Sequence, residues 1–76
     1  MTRMDKIYIR DEFIKLGQAM KLAGMVYNGA EAKELIQGGD VQVNGQTELR
    51  RGRKLVPGDV FTFGQASAEV ARRQDS

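Results

Sequence analysis

Four positive charges fall within five consecutive residues in the second half of this sequence. They belong to Arg50, Arg51, Arg53 and Lys54, and Gly52 lies among them. An arginine side chain can pair with two oxygens of one phosphate, a lysine adds a point charge, and a glycine lets the backbone approach a partner closely. The cluster is therefore a candidate phosphate-binding site. Charged runs of this kind also occur where they only keep a surface solvated.

A β-hairpin is predicted immediately before this cluster. Asn44 and Gly45 stand between alternating apolar residues, and both residue types tolerate the positive φ angles of a type I′ turn. We therefore expect paired strands at residues 41–43 and 46–49, which would present the four charges at one exposed edge. Phosphate binding by all four requires that they stay together at that edge, unoccupied by the protein's own carboxylates.

Two short helices are predicted before the hairpin. Apolar residues at three- and four-residue spacing predict a first helix over about residues 17–23, although the residues just before it also fit an extended strand. Gly24 can end this helix in the left-handed conformation. Asn28 and Glu31 form an Asn-based capping box, which predicts the start of a second helix that ends at Gly38-Gly39.

The remaining patterns predict strands and a turn. Residues 7–9 favour a short edge strand because they are β-favouring and are followed by a polar break. Pro57-Gly58 is a type II turn signature, and it precedes a strand expected at residues 60–63. A last short strand fits residues 68–70.

These elements predict an α+β fold in which two short helices pack on a small, mostly antiparallel sheet of three to five strands. The length of 76 residues leaves room for one domain, and 41% apolar and 29% charged residues are typical of a soluble globular protein. We expect its core to span about residues 7–70, with loose ends at residues 1–5 and 71–76.

The composition argues against several classes of function. Cysteine and histidine are both absent, which removes thiolate metal sites, disulfides, and the commonest metal ligand and general base. The carboxylates and serines form no catalytic pattern, and no apolar run is long enough to span a membrane. We therefore expect a cytoplasmic protein that is not an enzyme and that uses no cofactor and no metal.

A longer pattern covers most of the middle of the chain. It reads Leu16-x-x-x-Met20-Lys21, then Ala32-Lys33-x-Leu35-Ile36-x-x-Gly39, then Val41-x-Val43-Asn44-Gly45, and then Pro57-Gly58-Asp59-x-Phe61. This arrangement resembles the S-four RNA-binding domain, a family named after a small-subunit ribosomal protein and also called the alpha-L motif. Residues 28–33 and 50–55 look more narrowly like the stand-alone YaaA/YbcJ-like members of that family.

The resemblance implies a set of RNA contacts. Many members have Ser-Arg where this chain has Asn28-Gly29, so we expect the binding to shift toward the basic cluster. The amides beside Gly29 could donate to one phosphate at the start of the second helix, and Tyr27 is the one aromatic residue that we expect at an RNA contact. Three lysines would extend the positive surface if the helices pack beside the hairpin, although each alone fits a solvated residue: Lys15, Lys21 and Lys33.

The expected ligand is structured RNA, recognised mainly by backbone shape and charge, because aromatic residues are too few for a base-stacking platform. Phe13, Phe61 and Phe63 are expected mainly in the core. The resemblance favours ribosomal RNA, bound during ribosome assembly or maintenance by a monomer that could also contact ribosomal proteins. Two alternatives stay open: an adaptor that docks a ribosomal or RNA-processing protein, and an accessory domain that acts with a separate RNA-modifying enzyme.

Overall fold

Residues 3–73, which the computed structural model describes, form seven strands and two helices. In chain order these are β1 (Arg3–Ile9), β2 (Ile14–Lys15), α1 (Leu16–Leu22), α2 (Gly29–Gln37), β3 (Val41–Val43), β4 (Gln46–Thr47), β5 (Lys54–Leu55), β6 (Val60–Phe63) and β7 (Ala66–Arg72). Five strands form one sheet in the order β1-β7-β6-β3-β4, and β2 pairs with β5 in a second, two-stranded sheet. All pairs are antiparallel except β1 with β7. The predicted α+β fold is confirmed.

The core lies between the helices and one face of the larger sheet. Strand residues alternate between the two faces of a sheet, so Val41 and Val43 of β3 are buried while Gln42 is exposed. The largest fully buried side chain is Phe61, on the neighbouring strand β6. Helix residues complete the same apolar cluster: Leu16, Ala19 and Met20 from α1, and Ala32 and Ile36 from α2.

Both turns lie where the sequence patterns predict them. Asn44 and Gly45 have φ angles of +52° and +84°, as the predicted type I′ turn requires. Gly58 has a φ of +101°, and the amide of Asp59 donates to the carbonyl of Val56 at 3.0 Å, which closes the predicted type II turn. The two turns are also joined, because the Asn44 side-chain amide donates to the Asp59 carboxylate at 3.0 Å.

The second helix begins where its cap predicts. The amide of Glu31 donates to the side-chain oxygen of Asn28 at 2.8 Å. The return bond of the capping box is shifted by one residue, since the Glu31 carboxylate accepts from the amide of Tyr27 at 3.1 Å. Gly39 follows the helix with a φ of +85°, in the left-handed region.

The first and last strands in the chain are longer than the sequence predicts. β1 and β7 pair in parallel from Arg3 with Ala66 to Ile9 with Arg72, so the expectation of loose ends is wrong for residues 3–5 and 71–72. Hydrogen bonds to a partner far away in the chain support these residues, and no local pattern reports such bonds. Residues 1, 2 and 74–76 lie outside the described part. No helix in residues 3–73 has the length and apolar character needed to cross a membrane.

Candidate nucleic-acid interface

The basic loop, which comprises residues 50–54, is fixed to the start of α1 through its backbone. The amides of Leu16 and Gly17 donate to the carbonyls of Arg53 and Arg51 at 2.8 and 3.1 Å. These amides open the helix and have no partner within it, so the loop carbonyls act as its cap. This tertiary cap explains why α1 begins at Leu16, slightly earlier than the apolar spacing predicts.

Glu48 fixes the other side of the loop. Its side chain is buried, with 7% of the residue exposed, and one carboxylate oxygen accepts from the amides of Leu49 and Arg50, both at 3.1 Å. Both oxygens also accept from guanidinium groups, at 3.1 and 3.3 Å from Arg50 and at 2.8 Å from Arg53. Because Leu49 and Arg50 donate to this carboxylate instead of to a neighbouring strand, β4 ends at Thr47 and not at the predicted residue 49.

These contacts divide the basic cluster. The expectation that the protein's own carboxylates leave all four side chains unoccupied is wrong for Arg50 and Arg53, which form ion pairs with Glu48. Hydrogen bonds from Arg50 and then from Arg53 lower the pKa of Glu48 from 4.5 to about 2, so its negative charge persists at neutral pH. Arg50 keeps donors that face solvent, since 74% of its side chain is exposed.

Lys54 is also engaged, with an aromatic ring, and no carboxylate within residues 3–73 forms an ion pair with it. Its ammonium lies 4.8 Å from the centroid of the Phe13 ring, within the range of a cation–π contact. The expectation that Phe13 belongs mainly to the core is wrong, because 39% of that residue is exposed. Phe61 is fully buried, as expected, and Phe63 packs against the core with part of its surface exposed. The ring of Phe13 limits where the Lys54 charge can lie.

Arg51 remains available. Among residues 3–73 no carboxylate pairs with it, and its side chain lies along the surface of α1. A β-carbon on Gly17 would lie 2.8 Å from Cγ of Arg51, so this close approach depends on the glycine. The result is an open groove of about 310 Å³, lined by Lys15, Gly17, Gln18, Lys21, Gly29, Arg51 and Gly52.

The groove brings together several of the predicted site residues. Arg51, Lys15, Lys21 and Gly29 line it, and among residues 3–73 no acidic side chain does. A more open hollow of about 520 Å³ shares Gly52 with the groove and is lined by Arg50, Gly52, Arg53 and Lys54. The two concave surfaces therefore meet at the tip of the basic loop, and each presents positive charge.

Two predicted residues lie outside both surfaces. Lys33 is exposed on α2 and does not line the groove. Tyr27 is 94% exposed and lies two residues before Gly29, which places it near the groove without lining it.

Sequence reasoning missed Glu48, Gly17 and Gln18. A single carboxylate two residues before a basic run was a signal for Glu48, because such a spacing allows a local ion pair. A glycine within a helical pattern was a signal for close packing at Gly17. Gln18 carried no signal, since an exposed glutamine in a helix is ordinary.

Comparison with known proteins places this arrangement in a family. The S4 domain profile matches residues 7–71. A protein of Bacillus subtilis, "Probable ribosome maturation protein RlbA", is 46% identical over 54 residues, covering 71% of this chain and 76% of its own length. "Putative RNA-binding protein YbcJ" of Escherichia coli is 37% identical over 57 residues, covering 75% of this chain and 81% of its own length.

A larger enzyme contains a similar segment. The tyrosine–tRNA ligase of Nitrosomonas europaea is 35% identical over 60 residues, which cover 79% of this chain but only 14% of the ligase. The likeness therefore concerns one small part of that enzyme. The match over residues 7–71 and the two small relatives confirm the resemblance drawn from the sequence, and the chain belongs to the S4 domain family.

Proposed function

We propose that the protein binds structured RNA, without catalysis, in the groove between α1, the start of α2 and the basic loop. The observation that carries this proposal is the convergence of three cations, Arg51, Lys15 and Lys21, on a concave surface that no carboxylate of the described residues lines. Converging charges of one sign in a cleft concentrate the field, which favours a polyanion over a single small anion. Membership of the S4 domain family supports the same ligand.

Folded RNA suits this site better than a flexible strand. The groove walls are a helix and a loop joined by backbone hydrogen bonds, so the backbone positions that carry the charges are set before binding. An RNA helix presents phosphates at regular spacing and is recognised largely by its shape. A rigid positive surface can match that spacing without the cost of ordering both partners.

The second hollow would extend the contact. Arg50 and Arg53 keep guanidinium donors beyond those that Glu48 uses, and Lys54 adds a charge beside them. We assign to this surface a second phosphate contact on the far side of Gly52. Lys33 and Tyr27 would touch the RNA only beyond the rim of the groove.

Ribosomal RNA is the target that we propose, bound during ribosome assembly or maintenance. The relative from Bacillus subtilis, named "Probable ribosome maturation protein RlbA", supports this context. The protein would act as a monomer in the cytoplasm, with ribosomal proteins as further neighbours.

The salt dependence of binding to an RNA hairpin tests the proposal. Binding through several phosphates predicts that log K falls linearly with log salt, by about 0.7 to 0.9 for each phosphate neutralised. Replacing both Arg51 and Lys21 with Gln should reduce that slope by about 1.4 to 1.8. The matched control replaces Lys6 and Arg10, two exposed cations outside the groove, and should leave the slope nearly unchanged.

Other outcomes would support the alternatives. A salt slope that is the same in the groove variant and in its control would contradict RNA binding at this groove. Specific binding to an acidic ribosomal protein would then favour the adaptor, and co-purification of a catalytic chain would favour an accessory domain.

A further inference from the structure

A buried negative charge is paired with two arginines of the surface that would bind a polyanion. Glu48 is 7% exposed and accepts five hydrogen bonds, two from loop amides and three from guanidinium groups. Long-range electrostatics alone would favour its replacement, because every phosphate nearby is repelled. The Glu48 carboxylate must therefore contribute something other than attraction of phosphates.

The contacts of Glu48 suggest what that role is. Its amide donates to the carbonyl of Val41 at 3.0 Å, which ties it to the hairpin, and its carboxylate holds the first part of the basic loop. The amides that open α1 hold the last part of the loop, at Arg51 and Arg53. Gly52 lies between the two residues that α1 holds, at the tip where the two concave surfaces meet, and Arg51 joins it to the part of the loop held by Glu48.

We propose that Glu48 is a positioning residue that gives the basic loop its preference for folded RNA over flexible single strands. This inference rests on the RNA-binding function proposed above. Glu48 holds the guanidinium groups of Arg50 and Arg53 at its own carboxylate, beside Arg51 in the chain. It also removes one positive charge from the net charge of the loop.

Both effects act on selectivity in the same direction. A flexible strand can rearrange its phosphates around any cluster of cations, so it gains little from fixed spacing and loses from the lower net charge. A folded RNA cannot rearrange, so its affinity depends on cations that already lie where its phosphates are. The low pKa of Glu48, about 2, means that this arrangement holds throughout the physiological pH range.

Two substitutions distinguish the positioning effect of Glu48 from the effect of its charge. Glu48→Asp keeps the negative charge but shortens the side chain, and Glu48→Gln removes the charge. Glu34→Gln is the control, because Glu34 is exposed on α2, lies outside both concave surfaces and gives the same change in net charge as Glu48→Gln. Affinities for an RNA hairpin and for a uridine homopolymer are measured for each, after thermal melting has confirmed folding.

The expected result is a loss of selectivity at Glu48 only. Glu48→Asp should weaken hairpin binding about 3- to 10-fold and leave homopolymer binding unchanged. Glu48→Gln should also weaken hairpin binding while strengthening homopolymer binding about 2-fold. Glu34→Gln should leave the ratio of the two affinities unchanged. If Glu48→Gln strengthens both equally and Glu48→Asp changes neither, Glu48 sets only the charge and the inference is overturned.

A measurement on the unaltered protein tests the role of Glu48 independently, even if both Glu48 variants fail to fold. In an NMR titration with the hairpin, the Nε–H signal of Arg50, which Glu48 holds, should shift much less than that of Arg51. A large shift at Arg50 would show that it leaves Glu48 for phosphate, which contradicts the inference. Failure of the proposed function is distinguishable, because the unaltered protein would then bind the hairpin without a salt-dependent slope.

Discussion

The two sides of the basic loop use the same residue type in opposite ways. Arg50 and Arg53 direct donors back to Glu48, whereas Arg51 lies along α1 and lines the groove with Lys15 and Lys21. Four adjacent charges in the sequence are thus not four equivalent charges in the structure. Arginines paired with a buried carboxylate stabilise the loop, and the unpaired one is available to a ligand.

The largest effect should appear when one arginine from each side is neutralised separately. Arg51→Gln should weaken hairpin binding about 10- to 30-fold with little change in stability, because it removes an unpaired donor of charged hydrogen bonds. Arg50→Gln makes the same change in net charge but should weaken binding only about 2- to 3-fold. Fluorescence anisotropy at fixed salt measures both. Equal losses of affinity would remove the distinction between the two sides.

Acid should reveal how much the paired side stabilises the fold. The pKa of Glu48 falls from 4.5 to about 2 on folding, through hydrogen bonds first from Arg50 and then from Arg53. A lowered pKa stabilises the folded state above pH 4.5, and this contribution is lost as the pH falls toward 2. We expect a loss of about 1 to 2 kcal/mol, less than the full shift implies because Arg50 is mostly solvated.

Urea unfolding at pH 5.5 and pH 2.5 measures this loss. Glu48→Gln is the control, since it cannot titrate at this position and should show a smaller change in the free energy of unfolding over the same range. An equal change in the two proteins would mean that other carboxylates cause the acid dependence.

The cap of α2 should affect stability without affecting the ligand. Asn28→Ala removes the acceptor for the amide of Glu31 and should lower the free energy of unfolding by about 1 kcal/mol. Hairpin affinity, measured where the variant is fully folded, should stay within about 2-fold. A large loss of affinity at unchanged stability would show that Asn28 touches RNA. Asn28 would then belong with Arg51 among the residues that contact the ligand.

The smallest effect should come from Gly17→Ala. The added β-carbon would displace the Arg51 side chain, so hairpin affinity should fall about 2- to 4-fold even though alanine favours the helix. In an Arg51→Gln background the same change should have little effect on affinity, because the displaced donor is already absent. If Gly17→Ala still lowers hairpin affinity in that background, the loss is not caused by displacement of Arg51.

The sequence predicted those parts of the fold that depend on near neighbours. The Asn44-Gly45 turn, the Pro57-Gly58 turn and the Asn28 cap all formed as expected, because each needs only residues within about four positions. The lengths of β1 and β7 could not be predicted, since β1 pairs with a strand some sixty residues later. The helix start at Leu16 was inexact for the same reason, because its cap comes from Arg53.

The candidate site shows the same division. The sequence alone predicted the hairpin, the position of the basic cluster and the types of the residues near it. Turn preferences and charges are properties of the residues themselves. Only the tertiary structure decided that Glu48 occupies Arg50 and Arg53, and that Arg51 meets Lys15 and Lys21 across Gly17. Charge is fixed by residue type, but its availability to a ligand depends on which side chains the folded backbone brings within hydrogen-bonding distance.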